Sequence, residues 1–239
     1  MAKTIAILFA GGSGVRMGMA IPKQFVNIHG KPIIAYTMEL FEKNPLVDEI
    51  YVVTVKEYIG KVREIAEKYG YRKVTRITEG GASAQDSIYN GLTAVKEDHP
   101  DNPVVLLHDG VRPFVDEKVI TETIEAVKEF GTAITCIPCY ETILRSEDGK
   151  EVGNVLIRKE TFTGQAPQGF YLEDILSAHD EIRKRPNGYE NMVDACTIFH
   201  ELGRSTHMVM GNRGNIKITT KEDLYIFEAF LKLKEDEGR

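Results

Sequence analysis

Phe9 to Gln24 read FAGGSGVRMGMAIPKQ. An apolar run, Thr4 to Phe9, feeds this loop, which carries Gly11, Gly12, Gly14 and Gly18 and two cations, Arg16 and Lys23. Glycines let backbone N–H groups approach an anion, and fixed cations supply the charge to hold it. A strand leading into such a loop is where open α/β sheets place their ligands. Two familiar phosphate loops fail here. No Gly-Lys-Ser/Thr occurs, which excludes the P-loop, and a dinucleotide fingerprint begun at Gly12 and Gly14 meets Met17 where its third glycine belongs. A third kind of phosphate loop remains, with a plain glycine-rich turn as the alternative.

Working outward, Gly30 and Pro32 open a helix from Ile33 to about Glu42, and a strand, IYVVTV, ends at Val55. Ile59, Val62, Ile65 and Ala66 form one face of a helix stopped by Gly70. A strand from Val74 to Ile77 leads to a second glycine pair, Gly80 and Gly81, and then to a helix that carries Ser87 near its start. Val104 to Leu107 is the next strand, followed at its C-terminal end by His108, Asp109, Gly110, Val111 and Arg112. A helix to Phe130 and a strand from Ala133 to Ile137 continue the rhythm, which implies right-handed crossovers and a mainly parallel sheet.

Between Pro138 and Pro167 the rhythm breaks, and the residues around Glu147, Asp148 and Gly149 read as a hairpin. Such an arm is too short to stand alone, so it is expected to pack on something, a second subunit being the natural choice. A helix from Leu172 to Arg185, a shorter one near Val193 to Leu202, a strand from His207 to Met210 and a last helix from Glu222 to Leu233 complete the chain.

The 239 residues, 42% hydrophobic and 28% charged, suit one α/β domain. Thirty basic against thirty-six acidic residues leave a net charge of -6, unlike the basic surface of a nucleic-acid binder. The start shows no signal peptide and no apolar run is long enough to span a bilayer, so no membrane partner and a cytoplasmic location are expected. Cys136, Cys139 and Cys196 cannot build a disulfide framework, and the Cys-Ile-Pro-Cys run closes a strand instead of opening a helix, against a redox or zinc role.

Parallel strands share one C-terminal edge, so Arg16, Lys23, Ser87, Asp109, Arg112 and Lys217 are expected to converge there. Several cations with one carboxylate suggest a polyphosphate bound with a divalent ion, and Asp109 would take a Mg²⁺. Each residue has a plainer reading. Arg16 and Lys23 could be solvated loop charges, Asp109 or Asp194 could serve a helix start, and His108 reads as structural.

The loop with PKQF, then GGASAQDSIYNGL, HDGVRPF, GQAPQGF and GNIKITTKEDL, resembles the polyol-phosphate cytidylyltransferases, from about residue 3 to residue 233 and in the same order. That family includes the ribitol-5-phosphate and 2-C-methyl-D-erythritol 4-phosphate enzymes. PKQF and NIKIT are its specific pieces. The resemblance implies a single Rossmann-like domain over residues 1–239, with a β-arm of about 138–166 exchanged in a homodimer. It implies CTP and Mg²⁺, and a reaction that gives a CDP-polyol and pyrophosphate. By the same resemblance Ala10, Gly11, Gly12 and Gly14 wrap the triphosphate, and Gly80, Gly81 and Ser87 meet the cytosine. Arg16 and Lys23 stabilise the transition state. Arg158 and Lys217 position the acceptor phosphate, with Asp109, Arg112 and Thr142 as further acceptor contacts.

Departures sharpen the expectation. Ala82 and Ala84 stand where relatives commonly carry an acid and an arginine, and Gln85 is placed to replace some of that bonding. Val111, the Gly164–Gln165 pair and the run Asp194, Ala195, Cys196 lean toward the ribitol-5-phosphate enzymes, whereas Gly110 and Ala166 depart from them. A sugar-1-phosphate nucleotidyltransferase and a non-catalytic nucleotide-binding homologue are the competing readings.

Overall fold

The computed structural model describes residues 2–12 and 21–237. Gly14 and Arg16, two of the expected site residues, lie outside them. The strands β1 (Thr4–Phe9), β4 (Glu49–Thr54), β5 (Val74–Glu79), β6 (Val104–Asp109), β7 (Thr132–Pro138), β10 (Phe162–Tyr171) and β11 (Met208–Met210) make one sheet, in the order β11-β7-β10-β6-β1-β4-β5. Short hairpins β2 (Asn27–Ile28) with β3 (Lys31–Pro32), and β8 (Leu144–Arg145) with β9 (Asn154–Val155), stand apart from it. β1 pairs in parallel with β4 and β6, β4 with β5, and β7 with β11. β10 alone runs against its neighbours β6 and β7.

Strand β1 shows why this sheet needs two covers. Ile5 and Ile7 face one way and Ala6 and Leu8 the other, and all four are fully buried. Helices α1 (Ile33–Lys43), α2 (Ile59–Tyr69) and α4 (Glu117–Phe130) cover the Leu8 face through Met38, Val62 and Ile124. Helices α3 (Ala84–Asp98), α5 (Leu172–Arg183) and α6 (Ala195–Glu201) cover the other through Leu92, Ile175 and Ile198. Helix α7 (Lys221–Glu237) places Phe227 in a third cluster with Ile33, Phe114 and Ile218. Gly70 and Gly131 end α2 and α4 at φ of 69° and 83°, a left-handed turn that only glycine adopts without strain.

The elements read from the sequence reappear with ends shifted by a residue or two, and α7 runs on to Glu237. In the main sheet the addition is β10, FTGQAPQGFY, whose two glycines, proline and two glutamines hide it from strand propensity. Its identity comes from its neighbours. Phe170 is fully buried, and Gly169 sits so close to α4 that a Cβ there would meet Val127 Cγ2 at 2.6 Å. Pairing with β7 already begins at Phe162↔Pro138, so the part of the arm that leaves the sheet is shorter than residues 138–166.

Two outcomes follow from this packing. Gly169→Ala is expected to cost about 1–3 kcal/mol through overpacking, read as a lower urea midpoint at unchanged slope; an unchanged midpoint would contradict the close approach. His179 is fully buried, with Nδ1 2.6 Å from the Tyr189 hydroxyl. Burial, helped by Arg183 and opposed by Asp180 and Asp86, lowers its pKa to about 4. The neutral ring is therefore the folded form. Its contribution is intact above the unfolded value of about 6.5 and is lost as pH falls toward about 4, with a slope of up to about 1.4 kcal/mol per pH unit. Urea titrations at pH 7 and pH 5 should show that loss, and His179→Gln should reduce it.

Candidate active site

The parallel strands end at one edge, and a cleft of ≈ 620 Å³ opens there. Its first wall is the start of the glycine loop. Pro22 leads into one turn of 3-10 helix, Lys23–Phe25. Phe25 anchors this turn in the core, against the Tyr58 ring at 5.0 Å. The fully buried Gln24 donates from Nε2 to the carbonyls of Ala10 at 2.7 Å and Gly12 at 3.1 Å. One residue earlier, Lys23 lines the cleft beside Gly11 and Gly12 while only 8% exposed. PKQF is thus a brace that ties a buried cation to the loop.

The second wall is the start of α3. Ser83 caps the helix by accepting from the Asp86 N–H at 3.1 Å, and Ser87 Oγ accepts from the Gly81 N–H at 3.0 Å. A Cβ on Gly81 would lie 2.3 Å from Asp86 Cβ, so the chain can pass here only as glycine. Ala82 and Ala84 leave this wall without charge, and Arg183 of α5 instead holds Asp86 at 3.0 Å. Gln85 turns away from the cleft lining and donates to the Met192 carbonyl at 3.2 Å.

The third wall carries the charge. Asp109, at the end of β6, accepts from Lys217 Nζ at 2.6 Å through Oδ1 and from Arg112 Nε at 2.8 Å through Oδ2. Burial pushes this carboxyl up, but the Lys217 and Arg112 charges outweigh it and hold the pKa at about 2. A bound phosphate would meet an ionised carboxylate and two cations already assembled, with no cost for gathering them. His108 is buried beneath, with Nε2 3.1 Å from the Arg112 carbonyl, and burial lowers its pKa to about 4. It supports the turn as a neutral ring.

Ala10 and Gly80 do not line the cleft, and their N–H groups go to the Val53 and Thr54 carbonyls, both at 2.8 Å. Thr142 and Arg158 are exposed around the arm and do not line their own chain's cleft. Asp194 caps α6, accepting from the Thr197 N–H at 2.8 Å. Cys136 is buried in β7, and Cys139 lies 3.4 Å from the Thr163 hydroxyl. Gln24 and Gln168 had no role assigned from sequence. Gln168 is buried in β10 and accepts from the Cys196 N–H at 3.1 Å, a contact across the fold that no local pattern announces.

Among the described residues no group of three or more His, Cys, Asp or Glu could hold a metal ion. Asp109 and Asp194 are the carboxylates lining the cleft, and both already accept hydrogen bonds. A hard cation here fits only where phosphate oxygens supply most of its ligands and Asp109 supplies one.

Residues 4–233 match the family described as IspD: 2-C-methyl-D-erythritol 4-phosphate cytidylyltransferase. The chain is 40% identical, over 97% of each chain, to a ribitol-5-phosphate cytidylyltransferase of Vibrio parahaemolyticus. It is 39% identical to a 2-C-methyl-D-erythritol 4-phosphate cytidylyltransferase of Geotalea uraniireducens, over 96% of this chain and 97% of that one. A crystal structure of 4-diphosphocytidyl-2C-methyl-D-erythritol synthase from Anaerococcus prevotii superposes with a TM-score of 0.83, at 27% identity, covering 97% of this chain and 96% of that one. The chain belongs to the IspD cytidylyltransferase family of nucleotidyltransferases.

Proposed function

We propose that this chain transfers CMP from CTP to a polyol phosphate, with ribitol 5-phosphate as acceptor, and releases pyrophosphate. The observation that carries this reading is the cleft itself: a buried Lys23 on the glycine-loop side faces the Asp109–Arg112–Lys217 cluster on the other. The identity to relatives named for ribitol 5-phosphate supports the choice of acceptor. The match to the family named for 2-C-methyl-D-erythritol 4-phosphate supports that compound as the second candidate.

In this mechanism an oxygen of the acceptor phosphate attacks the α-phosphorus of CTP, and the bond to the β-phosphate oxygen breaks. The nucleophile is already an anion, so catalysis needs positioning and charge stabilisation and no general base. Lys23, with Arg16 from outside the described residues, neutralises charge growing on the α-phosphoryl group and on departing pyrophosphate. Gly11, Gly12 and Gly14 give the triphosphate backbone donors without side-chain obstruction, and Gly81 and Ser87 border the base. Lys217 and Arg112 receive the acceptor phosphate. When bound, Mg²⁺ supplies further charge neutralisation on the triphosphate, with Asp109 its protein ligand. No helix among the described residues is long and apolar enough to cross a membrane, and a cytoplasmic site of action suits soluble substrates of this kind.

The arm completes the proposal. Its hairpin pairs only Leu144 with Val155 and Arg145 with Asn154, while Leu144, Val152, Val155 and Ile157 are each more than half exposed. A two-stranded ribbon with such a surface is marginal alone and gains by burying it on a second copy. There Thr142 and Arg158 would serve the neighbour's cleft.

Purified protein given CTP, Mg²⁺ and a panel of polyol phosphates should release pyrophosphate fastest with ribitol 5-phosphate. No release with any acceptor would end the reading. Lys23→Ala is expected to lower kcat by about 10²–10³ while the fold is kept. Co-expressed Lys23→Ala and Arg158→Ala chains should recover about a quarter of wild-type activity, since half of random dimers are mixed and each has one intact site. No recovery, or full activity from a sedimenting monomer, would remove the shared site.

A further inference from the structure

Two side chains inside the acceptor wall hold the backbone beside the cleft's charge cluster. Gln165 is 7% exposed and Asn215 fully buried. Gln165 Nε2 donates to the carbonyls of Asn212 at 3.2 Å and Asn215 at 3.3 Å. Asn215 Nδ2 donates to the Ala166 carbonyl at 2.7 Å and lies 3.4 Å from Gln165 Oε1. The two amides therefore clamp the bulged segment of β10 to the turn at residues 212–215. The clamp is tight, because a Cβ on Gly211 would sit 2.5 Å from Gln165 Oε1.

The turn held this way contacts one cation of the acceptor wall, Arg112, and leads directly to the other, Lys217. The Asn215 carbonyl that accepts from Gln165 also accepts from Arg112 Nη1 at 2.8 Å. Two residues on, Lys217 reaches Asp109, and Ile218 N–H closes the segment on the Val111 carbonyl at 2.9 Å. Resting on the transferase reading above, we infer that Gln165 and Asn215 are positioning residues for the acceptor phosphate. They set Lys217 and Arg112 at their working separation before the acceptor arrives, so acceptor affinity and not CTP affinity depends on them. The donor capacity of Gln165 is the active property: two carbonyls face one NH₂ group, and a carboxylate cannot replace it.

Gln165→Leu removes the donors and keeps an apolar packing volume, and Gln165→Glu keeps the shape while removing the same donors. Each is expected to raise KM for the acceptor phosphate about tenfold, the sum of two lost hydrogen bonds. CTP dissociation constants measured by calorimetry should stay within about twofold. A second readout needs no turnover: acylation of lysines, followed by peptide mass spectrometry, should speed up at Lys217 by roughly tenfold in both variants and stay constant at Lys61 of α2. Equal rises in both substrates' constants, or unchanged Lys217 labelling in a folded variant, would overturn the assignment. Failure of the transferase reading has a separate signature, since the wild-type chain would then turn over no acceptor while the Lys217 labelling contrast persisted.

Discussion

β10 runs against its neighbours, and most of the acceptor side of this molecule follows from that reversal. A parallel strand would bring its C-terminal end to the cleft. An antiparallel one brings its beginning, so Gly164, Gln165 and Ala166 arrive beside the end of β6, where Asp109 stands. The register slips between Gly164 and Gln168, and Pro167 has no N–H to give to a ladder. The strand therefore bulges where it meets the cleft, and its Gln165 side chain and Ala166 carbonyl bond to the 212–215 turn. The same reversal aims the arm. β7 leaves the sheet at Pro138 and β10 returns at Phe162, directly opposite, so the hairpin projects from the edge that holds the site.

Charge is arranged on this frame with little waste. Asp109 is held ionised by two cations that it in turn keeps in place, and neither cation relies on it alone for direction. Arg112 is also fixed to the Asn215 carbonyl, and the segment bearing Lys217 is closed on Val111. Such a site is organised before its ligand enters, which is the condition under which electrostatic stabilisation is effective. Across the cleft, the buried Gln24 gives the same rigidity to the turn that carries Lys23.

Much of this was readable in the chain. The alternation from β1 to β7 follows from apolar runs and helical spacing, and the glycine loop, Lys23, Asp109, Arg112 and Lys217 mark one sheet edge by strand order alone. β10 was not readable, because its residues have poor strand propensity and it is held by Gly169 against α4 and by Phe170 in the core. The plain roles of Ala10 and Gly80 were hidden too: both sit in the loops that matter, but their N–H groups are spent on β4. Gln85, expected to stand in for charges missing at Ala82 and Ala84, turns to Met192, and Arg183 from a distant helix holds Asp86.

The division has a physical cause. Sequence by itself determined what local chemistry determines: which runs are apolar enough to be buried strands, where glycine frees the backbone for an anion, and which cations and carboxylate lie just after strand ends. Tertiary structure alone decided the direction of β10, the ion pairs of Asp109 and the amide clamp between Gln165 and Asn215. The Asp109–Lys217 pair and the amide clamp depend on contacts between residues about 50 or more apart, where burial and the need to satisfy buried polar groups outweigh local preference.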